Sequence, residues 1–346
     1  MKAVAKIKPG YGNIGIIQME KPEIQKPDDV LIRVKSVGMC GTDISIYKWS
    51  PTVEKEYHPT LPNVLGHEFA GIVEAVGSGV TGIKVGDHVT ANEHIFCGTC
   101  EYCEAGMTCI CQTRPILGCH IHGGMTEYIV VREKNLFILP KNVSLHAGAI
   151  AEPLSVAIHA VERVPVKPDD IVAIFGAGTI GLGLALVLKA LGIKNYFVIG
   201  LEHDRSRLEV AKEFGASAIV LGTENPLAII QSVTGKKGPN IVFECSGAVE
   251  AIKMSIDICR PAGTVGLVGI AGKAQEIDTS RLVFEEKTIV GCRAFYHNTW
   301  NTTMKLMETI GTDAEKLITH RLPLDRFEEA FELIQSGKCI KTIIEP

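Results

Sequence analysis

Two hydrophobic patterns follow each other along this chain of 346 residues. As far as about residue 155, short runs rich in Val and Ile are separated by Gly, Pro and polar residues, which is typical of short strands joined by turns. The clearest of these runs span residues 30–37, 70–76, 87–90 and 126–131. The first part of the chain is therefore predicted to form an irregular, barrel-like β-structure with little helix.

After residue 155 the pattern changes to buried strands that alternate with helices of 3.6-residue periodicity. The predicted strands are 171–175, 196–200, 218–221 and 264–268, and the predicted helices between them include 180–191 and 205–214. This β-α-β-α-β order is typical of an α/β fold with a doubly wound parallel sheet. The last segment is predicted to hold an amphipathic helix over 324–336 and a closing strand over 342–344.

Composition narrows the class of protein. Hydrophobic residues make up 46% of the chain, which suffices for two domain cores. A net charge of −4 without a basic run argues against binding of nucleic acid, and no apolar stretch approaches the ~20 residues of a membrane span. Because the N-terminal residues lack the apolar region of a secretory signal, we expect a cytoplasmic protein whose eleven cysteines are thiols or metal ligands.

A run of four cysteines, Cys97, Cys100, Cys103 and Cys111, is the strongest chemical signal. Four thiolates at this spacing surround a tetrahedral zinc ion, which is then fully coordinated and stabilises the loop that supplies its ligands. Disulfides are disfavoured by the close spacing of three cysteines, and an iron–sulfur run would place the fourth cysteine earlier and follow it with Pro. Cys109 competes for the last position or is a plain buried thiol.

A glycine-rich turn, Gly176-Ala-Gly178-Thr179-Ile180-Gly181, follows a predicted buried strand and opens an apolar helix. A dinucleotide-binding fingerprint requires this context, with a strand before the glycines and a helix after them. The glycines permit a tight turn and close approach of the backbone to a pyrophosphate, which the helix N-terminus attracts. The alternative is an ordinary tight strand–helix turn.

Acidic residues at the end of the second predicted strand of this part favour NAD over NADP. An acidic side chain there accepts hydrogen bonds from the ribose hydroxyls and repels a 2′-phosphate. We predict Glu202 in this role with Asp204 as the alternative, although Asp204 also suits a helix cap. Arg205 and Arg207 are close enough in sequence to bind a phosphate, which keeps NADP open.

Three scattered residues, Cys40, His67 and Glu152, form a candidate second zinc site. Three protein ligands leave one position open, and zinc of this kind lowers the pKa of an alcohol and stabilises its charge, so that a hydride can leave the adjacent carbon. A nicotinamide is the natural hydride acceptor. Each residue also has a simpler explanation: a core thiol, a buried histidine with a partner, and a carboxylate at a helix start.

These residues, in this order and with the four-cysteine loop and glycine-rich turn, resemble the zinc-containing medium-chain alcohol dehydrogenases. The resemblance covers essentially the whole chain. It implies a GroES-like, β-rich catalytic domain over residues 1–154, a Rossmann NAD-binding domain over 155–294, and a return to the catalytic domain over 295–346.

The resemblance also implies roles for individual residues. Cys40, His67 and Glu152 match ligands of the catalytic zinc and Glu68 matches a carboxylate beside it; whether Glu68, Glu152 or both contact the metal stays open. The four cysteines match a structural zinc site, which makes two Zn²⁺ per chain. Thr42 matches the hydroxyl that hydrogen-bonds the substrate oxygen and begins proton release.

Two branches of the family are mixed in the sequence. Segments 152–156 and 298–300 resemble sorbitol and other polyol dehydrogenases, whereas segments 46–49 and 94–97 resemble L-threonine 3-dehydrogenases. Ser45 stands where both branches commonly carry His, and Phe295 stands where polyol dehydrogenases often carry Arg. We predict oxidation of a secondary alcohol of a small polar substrate to a ketone, with a polyol ahead of L-threonine. A non-catalytic nucleotide-binding relative is the alternative of another class.

Further coenzyme contacts are expected after the later strands of the predicted sheet. Ser246 lies after one of them, and Val268, Gly269 and Ile270 are candidates for the nicotinamide amide. Among the remaining histidines, His94 is expected near the catalytic site. The resemblance also implies a dimer or tetramer, so we expect a homo-oligomer.

Overall fold

The computed structural model describes residues 1–235 and 238–346. The chain divides into two compact units: unit 1 comprises Met1–Glu152 and Tyr296–Pro346, and unit 2 comprises Pro153–Phe295. The boundaries expected from the sequence followed residues 154 and 294. Each unit has a sheet architecture of its own.

Strands and helices are distributed unevenly between the two units. The strands are β1 (Lys2–Lys6), β2 (Ile14–Gln18), β3 (Asp29–Gly38), β4 (Asn63–Val64), β5 (Glu68–Val76), β6 (His88–Ala91), β7 (Tyr128–Arg132), β8 (Leu136–Ile138), β9 (Ile171–Phe175), β10 (Asn195–Gly200), β11 (Ser217–Val220), β12 (Ile241–Glu244), β13 (Thr264–Leu267), β14 (Thr288–Gly291), β15 (Ile318–Pro323) and β16 (Lys341–Glu345). The α-helices are α1 (Gly41–Lys48), α2 (Glu101–Glu104), α3 (Leu145–Ala149), α4 (Ala151–Arg163), α5 (Thr179–Ala190), α6 (Arg205–Glu213), α7 (Pro226–Thr234), α8 (Val249–Ile258), α9 (Thr279–Phe284), α10 (Thr299–Ala314) and α11 (Phe327–Gln335).

Unit 1 is organised around β3, the longest strand. A seven-stranded sheet has the order β15-β16-β3-β5-β6-β8, and β7 also pairs with β3. A second sheet has the order β2-β1-β4. The inward side chains of β3 and β5, including Val30, Ile32, Val34 and Val73, belong to one hydrophobic core. This mostly antiparallel arrangement confirms the predicted β-rich lobe.

Unit 2 contains a six-stranded sheet of parallel strands in the order β11-β10-β9-β12-β13-β14. Helices α5, α6 and α8 pack on these strands. The chain starts at β9, proceeds to one edge, and then returns to β12 beside β9, so the strand order reverses between β9 and β12. This is the doubly wound topology in which ligands bind at the carboxyl ends of the strands, and it confirms the predicted fold class.

The structure shifts some predicted boundaries. Strand β5 begins at Glu68 rather than at residue 70, because Glu68 pairs with Gly38 in the antiparallel ladder with β3. The predicted helix 324–336 begins as a 3₁₀ turn, Leu324–Arg326, and becomes α-helical only at Phe327. In the described part of the chain, no helix combines the length and apolar character needed to cross a membrane.

Candidate functional site

Cys40 and His67 lie side by side because of the pairing between β3 and β5. Cys40 follows β3 and is the N-cap of α1, and His67 immediately precedes β5. Since Gly38 at the end of β3 faces Glu68 at the start of β5, the two segments leave the sheet together. The Cys40 sulfur, a His67 ring nitrogen and a Glu68 carboxylate oxygen all lie within 4.8 Å of one another.

Asp43 connects the two segments that carry these residues. Its carboxylate accepts hydrogen bonds from the backbone N–H groups of Cys40 at 2.9 Å and Gly66 at 3.3 Å. The side chain is fully buried, and this burial raises the pKa of Asp43. The sequence predicts no role for Asp43, although an acidic residue three positions after a helix N-cap is a recognisable capping signal.

Lys341 on β16 forms a buried ion pair with Glu68. Its Nζ donates to both Glu68 oxygens, at 2.8 and 2.7 Å, and to the Met39 carbonyl at 2.8 Å. Burial lowers the pKa of Lys341, but the charge of Glu68 outweighs it and the pKa is raised. These partners are separated by 273 residues, so no local pattern in the sequence announced the contact.

Glu152 lies close to this cluster, in the first turn of α4. Its oxygen atoms are not part of the group within 4.8 Å, but its charge acts on His67. Burial raises the pKa of Glu152 well above its ordinary value, and the neighbouring carboxyl of Glu93 raises it further. Burial likewise raises the pKa of Glu93 to about 7.

Glu93 is a residue that the sequence reasoning missed. It lies two positions after the end of β6, where an acidic side chain next to a buried strand is the only available signal. His94 was expected near the site, and its Nε2 lies 3.5 Å from Glu93 Oε1. The ring of His94 is thus placed next to Glu93 rather than in the group formed by Cys40 and His67.

The chemistry of this donor set fits a zinc ion. Thiolate, imidazole and carboxylate are the ligand types of catalytic zinc. Burial lowers the pKa of His67, yet the neighbouring Cys40, Asp43 and Glu152 outweigh it, so the pKa stands well above its ordinary value. Acidic groups thus concentrate around a buried imidazole, and a divalent cation would neutralise them.

Thr42 is the remaining predicted residue of this site. It lies in the first turn of α1, and its hydroxyl oxygen is 3.7 Å from the Cys40 sulfur. Ser45 lies one turn further along the same helix.

The four predicted cysteine ligands also come together. The sulfur atoms of Cys97, Cys100, Cys103 and Cys111 lie within 4.8 Å of one another. The Sγ···Sγ distance is 3.9 Å between Cys97 and Cys103 and 3.5 Å between Cys97 and Cys111, close to the roughly 3.8 Å edge of a tetrahedron with Zn–S bonds of about 2.3 Å. Hydrogen bonds from the backbone of Thr99 and Cys100 lower the pKa of Cys97 to about 5. Cys109 lies outside this sulfur group and is buried.

The glycine-rich turn connects β9 to α5. Gly178 is the N-cap of α5, and a Cβ added there would meet no atom within 4 Å. A Cβ at Gly181 would lie 1.9 Å from the Gly176 carbonyl oxygen, so the helix can pack this closely only with glycine. Thr179 and Ile180 form the first turn of the helix, whose N–H groups attract anions. The turn therefore has the open space and donors that a pyrophosphate requires.

The acidic residues after β10 have different surroundings. Asp204 is buried, accepts a hydrogen bond from Leu201 N at 3.1 Å and pairs with Arg207 at 2.8 Å. Glu202 is exposed and forms a two-point ion pair with Arg205, at 2.6 and 3.0 Å. Asp204 thus caps the 3₁₀ turn Glu202–Asp204, whereas at the start of α6 it makes no side-chain cap hydrogen bond. Glu202 remains the accessible acid.

The other predicted coenzyme residues lie at the carboxyl ends of neighbouring strands. Ser246 follows β12, and Val268, Gly269 and Ile270 follow β13. Since both strands are parallel to β9 and on the far side of it from β10, these residues belong to the second half of the doubly wound sheet.

A doubly wound sheet with a dinucleotide turn, together with zinc-type donor sets, defines the class of zinc-dependent dehydrogenases. A family model described as an alcohol dehydrogenase GroES-like domain matches residues 26–141, and one described as a zinc-binding dehydrogenase matches residues 179–309. The chain belongs to the zinc-containing medium-chain alcohol dehydrogenase family. It is a zinc-dependent NAD(P) dehydrogenase that acts on CH–OH groups.

Relatives with different substrates resemble the chain about equally. It is 35% identical to a D-arabitol-phosphate dehydrogenase of Enterococcus avium, over 100% of the chain and 97% of the relative. It is 36% identical to an L-threonine 3-dehydrogenase of Bacillus subtilis, over 100% and 99%. The crystal structure of 2R,3R-butanediol dehydrogenase from Bacillus subtilis matches with a TM-score of 0.89 and 32% identity, over 100% of this chain and 99% of that one.

Proposed function

We propose that this protein oxidises a secondary hydroxyl of a small polyol to a ketone, with NAD as the hydride acceptor. The observation that carries this proposal is the group of half-buried Cys40 with buried His67 and Glu68, with Glu152 beside it. The overall reaction removes a proton and a hydride from the substrate carbinol and yields a ketone, NADH and a proton.

In this proposal Cys40, His67 and Glu152 hold a catalytic zinc, while Glu68 stays paired with Lys341. When bound, zinc supplies Lewis-acid chemistry: it polarises the substrate hydroxyl and lowers its pKa. Thr42 accepts a hydrogen bond from the substrate hydroxyl at Oγ1 and begins removal of its proton. Ser45, one helical turn further on, is the hydroxyl available to continue that path.

The second zinc of the proposal has a structural role. Cys97, Cys100, Cys103 and Cys111 would bind it as thiolates, with no position left for a substrate. It would stabilise the loop that contains α2.

Preference for NAD is supported by the accessible Glu202. Its carboxylate would accept hydrogen bonds from the adenosine ribose hydroxyls after release from Arg205, and it would repel a 2′-phosphate. Arg207 is engaged by Asp204, so it offers less to a phosphate than its position in the sequence suggested.

Lys341, the buried cation beside Glu68, is already paired, and this favours a polyol over L-threonine as the substrate. A substrate carboxylate is best bound by a cation, and Lys341 is the Lys beside Glu68. The three donors of an ammonium group are matched by its three contacts to Glu68 and Met39. Polyol hydroxyls need no cation and can use neutral donors and acceptors.

L-Threonine is the second candidate because the Bacillus subtilis threonine dehydrogenase is as similar to this chain as the arabitol-phosphate enzyme. The test is a panel of sorbitol, xylitol, arabinitol, arabinitol phosphate, 2,3-butanediol and L-threonine with NAD or NADP, followed by NADH or NADPH absorbance on zinc-quantified protein. A kcat/KM at least about tenfold higher for a polyol than for threonine supports the proposal. The reverse ratio assigns threonine, and turnover with NADP alone refutes the proposed coenzyme.

We further propose a homo-oligomer that uses the open edge of the unit 2 sheet. Strand β14 lies at that edge, and the preceding helix α9 exposes Val283 by 75% and Phe284 by 87%. Exposed apolar side chains beside an unpaired strand edge favour association. Light scattering should show a dimer or tetramer; a monomer at micromolar concentration would contradict this.

A further inference from the structure

Glu244, at the carboxyl end of β12, is a buried acidic residue to which none of the roles above applies. It is completely excluded from solvent. A carboxylate in such a place is costly unless hydrogen-bond donors surround it. Its position is the point in the sheet where the strand order reverses between β9 and β12.

The Glu244 carboxylate is surrounded by donors from the turn that follows it. Ser246 N donates to Oε1 at 2.7 Å, and Gly247 N lies 3.1 Å from both oxygens. The Ser246 hydroxyl also donates to Oε1 and in turn accepts a hydrogen bond from Ala248 N at 3.1 Å. Because each partner of the carboxylate is a donor, an ionised carboxylate matches this turn, whereas an amide would place N–H groups against N–H groups.

The same residue also fixes the turn after β13. The Glu244 carbonyl accepts hydrogen bonds from Val268 N at 2.8 Å and Gly269 N at 2.9 Å. A Cβ at Gly269 would lie 2.2 Å from Gly247 N and 2.8 Å from Glu244 Oε2. The turns after β12 and β13 therefore pack directly on each other, with Glu244 between them.

The turn after β9 touches this assembly as well. Cys245 N donates to the Phe175 carbonyl at 2.8 Å, and a Cβ at Gly176 would lie 3.2 Å from both Ser246 N and Ser246 Cβ. Glu244 and its neighbours thus hold together the turns after β9, β12 and β13. These three turns form the carboxyl-end surface where a doubly wound sheet binds a dinucleotide.

We propose that Glu244 is a positioning residue for the nicotinamide half of the coenzyme. This inference rests on the proposed use of a nicotinamide dinucleotide. The adenosine half lies on the side of β10, where Glu202 follows the strand, so β12 and β13 serve the other mononucleotide. By fixing Ser246 and the 268–270 turn, Glu244 keeps their backbone groups oriented before the coenzyme arrives, which reduces the ordering cost of binding.

The test measures binding rather than turnover. Isothermal titration of the full chain with NADH and with AMP separates the two halves, because AMP carries only the adenosine half. For Glu244→Gln we expect the Kd for NADH to rise about tenfold, as for loss of a charge-assisted hydrogen bond, while the Kd for AMP stays within about twofold. Glu250→Gln, an exposed carboxylate in the first turn of α8, is the matched control and should change neither.

Equal weakening of NADH and AMP binding would overturn the proposal, because it would show general damage to unit 2, and so would unchanged NADH binding. If Glu244→Gln does not fold, Ser246→Ala removes one hydroxyl contact and keeps the carboxylate. It should weaken NADH about threefold with AMP unchanged, and unchanged NADH binding would again contradict the role. Wild-type protein that fails to bind NADH would instead refute the proposed coenzyme.

Discussion

Buried charges contact several of the residues around the candidate zinc site. Asp43 bonds the backbone of both ligand segments, and Lys341 bonds both oxygens of Glu68. Contacts such as those of Asp43 orient metal ligands, and their loss typically costs ~10–100-fold in metal affinity or activity. The site therefore depends on residues that touch neither substrate nor metal.

Cys40→Ser should abolish turnover while coenzyme binding survives. Replacing the thiolate removes a proposed zinc ligand, so kcat/KM should fall by more than the ~100-fold upper range for outer contacts, and the zinc content should fall from two per chain to one. The Kd for NADH should stay within about twofold, because the coenzyme turn belongs to unit 2. Activity and NADH binding lost together would indicate a structural role for Cys40.

Lys341→Met should destabilise the protein by about 3 kcal/mol, since it leaves Glu68 as a buried, unpaired charge. Urea unfolding at pH 7.5 measures the loss. Adding Glu68→Gln to this variant should recover part of the lost free energy of unfolding, because the uncompensated charge is then removed.

A surface pair provides the control for this cost. Lys2 pairs with Asp325 at 2.8 Å, with 49% and 57% of the two side chains exposed, so Lys2→Met should change the free energy of unfolding by less than about 1 kcal/mol. Equal losses in Lys341→Met and Lys2→Met would show that burial of the first pair has no energetic consequence.

At the scale of elements, the antiparallel pairing of β3 with β5 assembles the catalytic site, and a short loop assembles the structural one. The catalytic site requires one particular register of β3 on β5, with Gly38 opposite Glu68. The structural site requires only that four cysteine sulfur atoms, from residues within 15 positions of the chain, converge around the short helix α2. Helix α2 in this loop has no buried residue, so the metal is expected to supply much of the stability of this part of the loop.

Cys100→Ser should therefore release one zinc and lower the melting temperature by about 5–10 °C. The kcat/KM per folded molecule should fall by no more than about threefold. Metal analysis and calorimetry measure the two effects. Cys109→Ser is the matched control in the same loop, because its sulfur lies outside the group of four; two zinc ions should remain. Unchanged zinc content in Cys100→Ser would refute the structural zinc site.

At the scale of the whole molecule, several histidines of unit 1 make the fold sensitive to acid. Burial lowers the pKa of His297, His146, His120 and His122 below the ordinary value of 6.5. Below pH 6.5 the unfolded chain therefore binds more protons than the folded chain at these positions. By linkage the contribution of these four histidines to the free energy of unfolding falls as pH drops from 6.5 through their folded pKa values.

His297→Gln should flatten this dependence between pH 7.5 and 5.5. The ring lies between Phe96 and Phe137, at centroid distances of 5.1 and 5.4 Å, and near Asn92, so a proton there is poorly solvated. Urea unfolding at both pH values gives the slope, with His88→Gln on the exposed end of β6 as control. An identical slope in His297→Gln and wild type would exclude His297 as a source of acid sensitivity.

Sequence alone determined the features that depend on local spacing. Four cysteines within one loop, a glycine turn between strand and helix, and two successive hydrophobic periodicities each act over a few residues, so they predicted the metal loop, the coenzyme turn and the fold class. Neighbouring residues are constrained by short chain connections whatever the rest of the molecule does.

Tertiary structure alone decided which distant charges meet. Glu68 with Lys341, Glu93 beside Glu152, and Glu244 with the turns after β12 and β13 are partnerships set by sheet register and strand order. A buried charge must find a partner to offset its desolvation, but the chain carries no periodicity that identifies that partner. Only the folded arrangement of strands brings the two groups together.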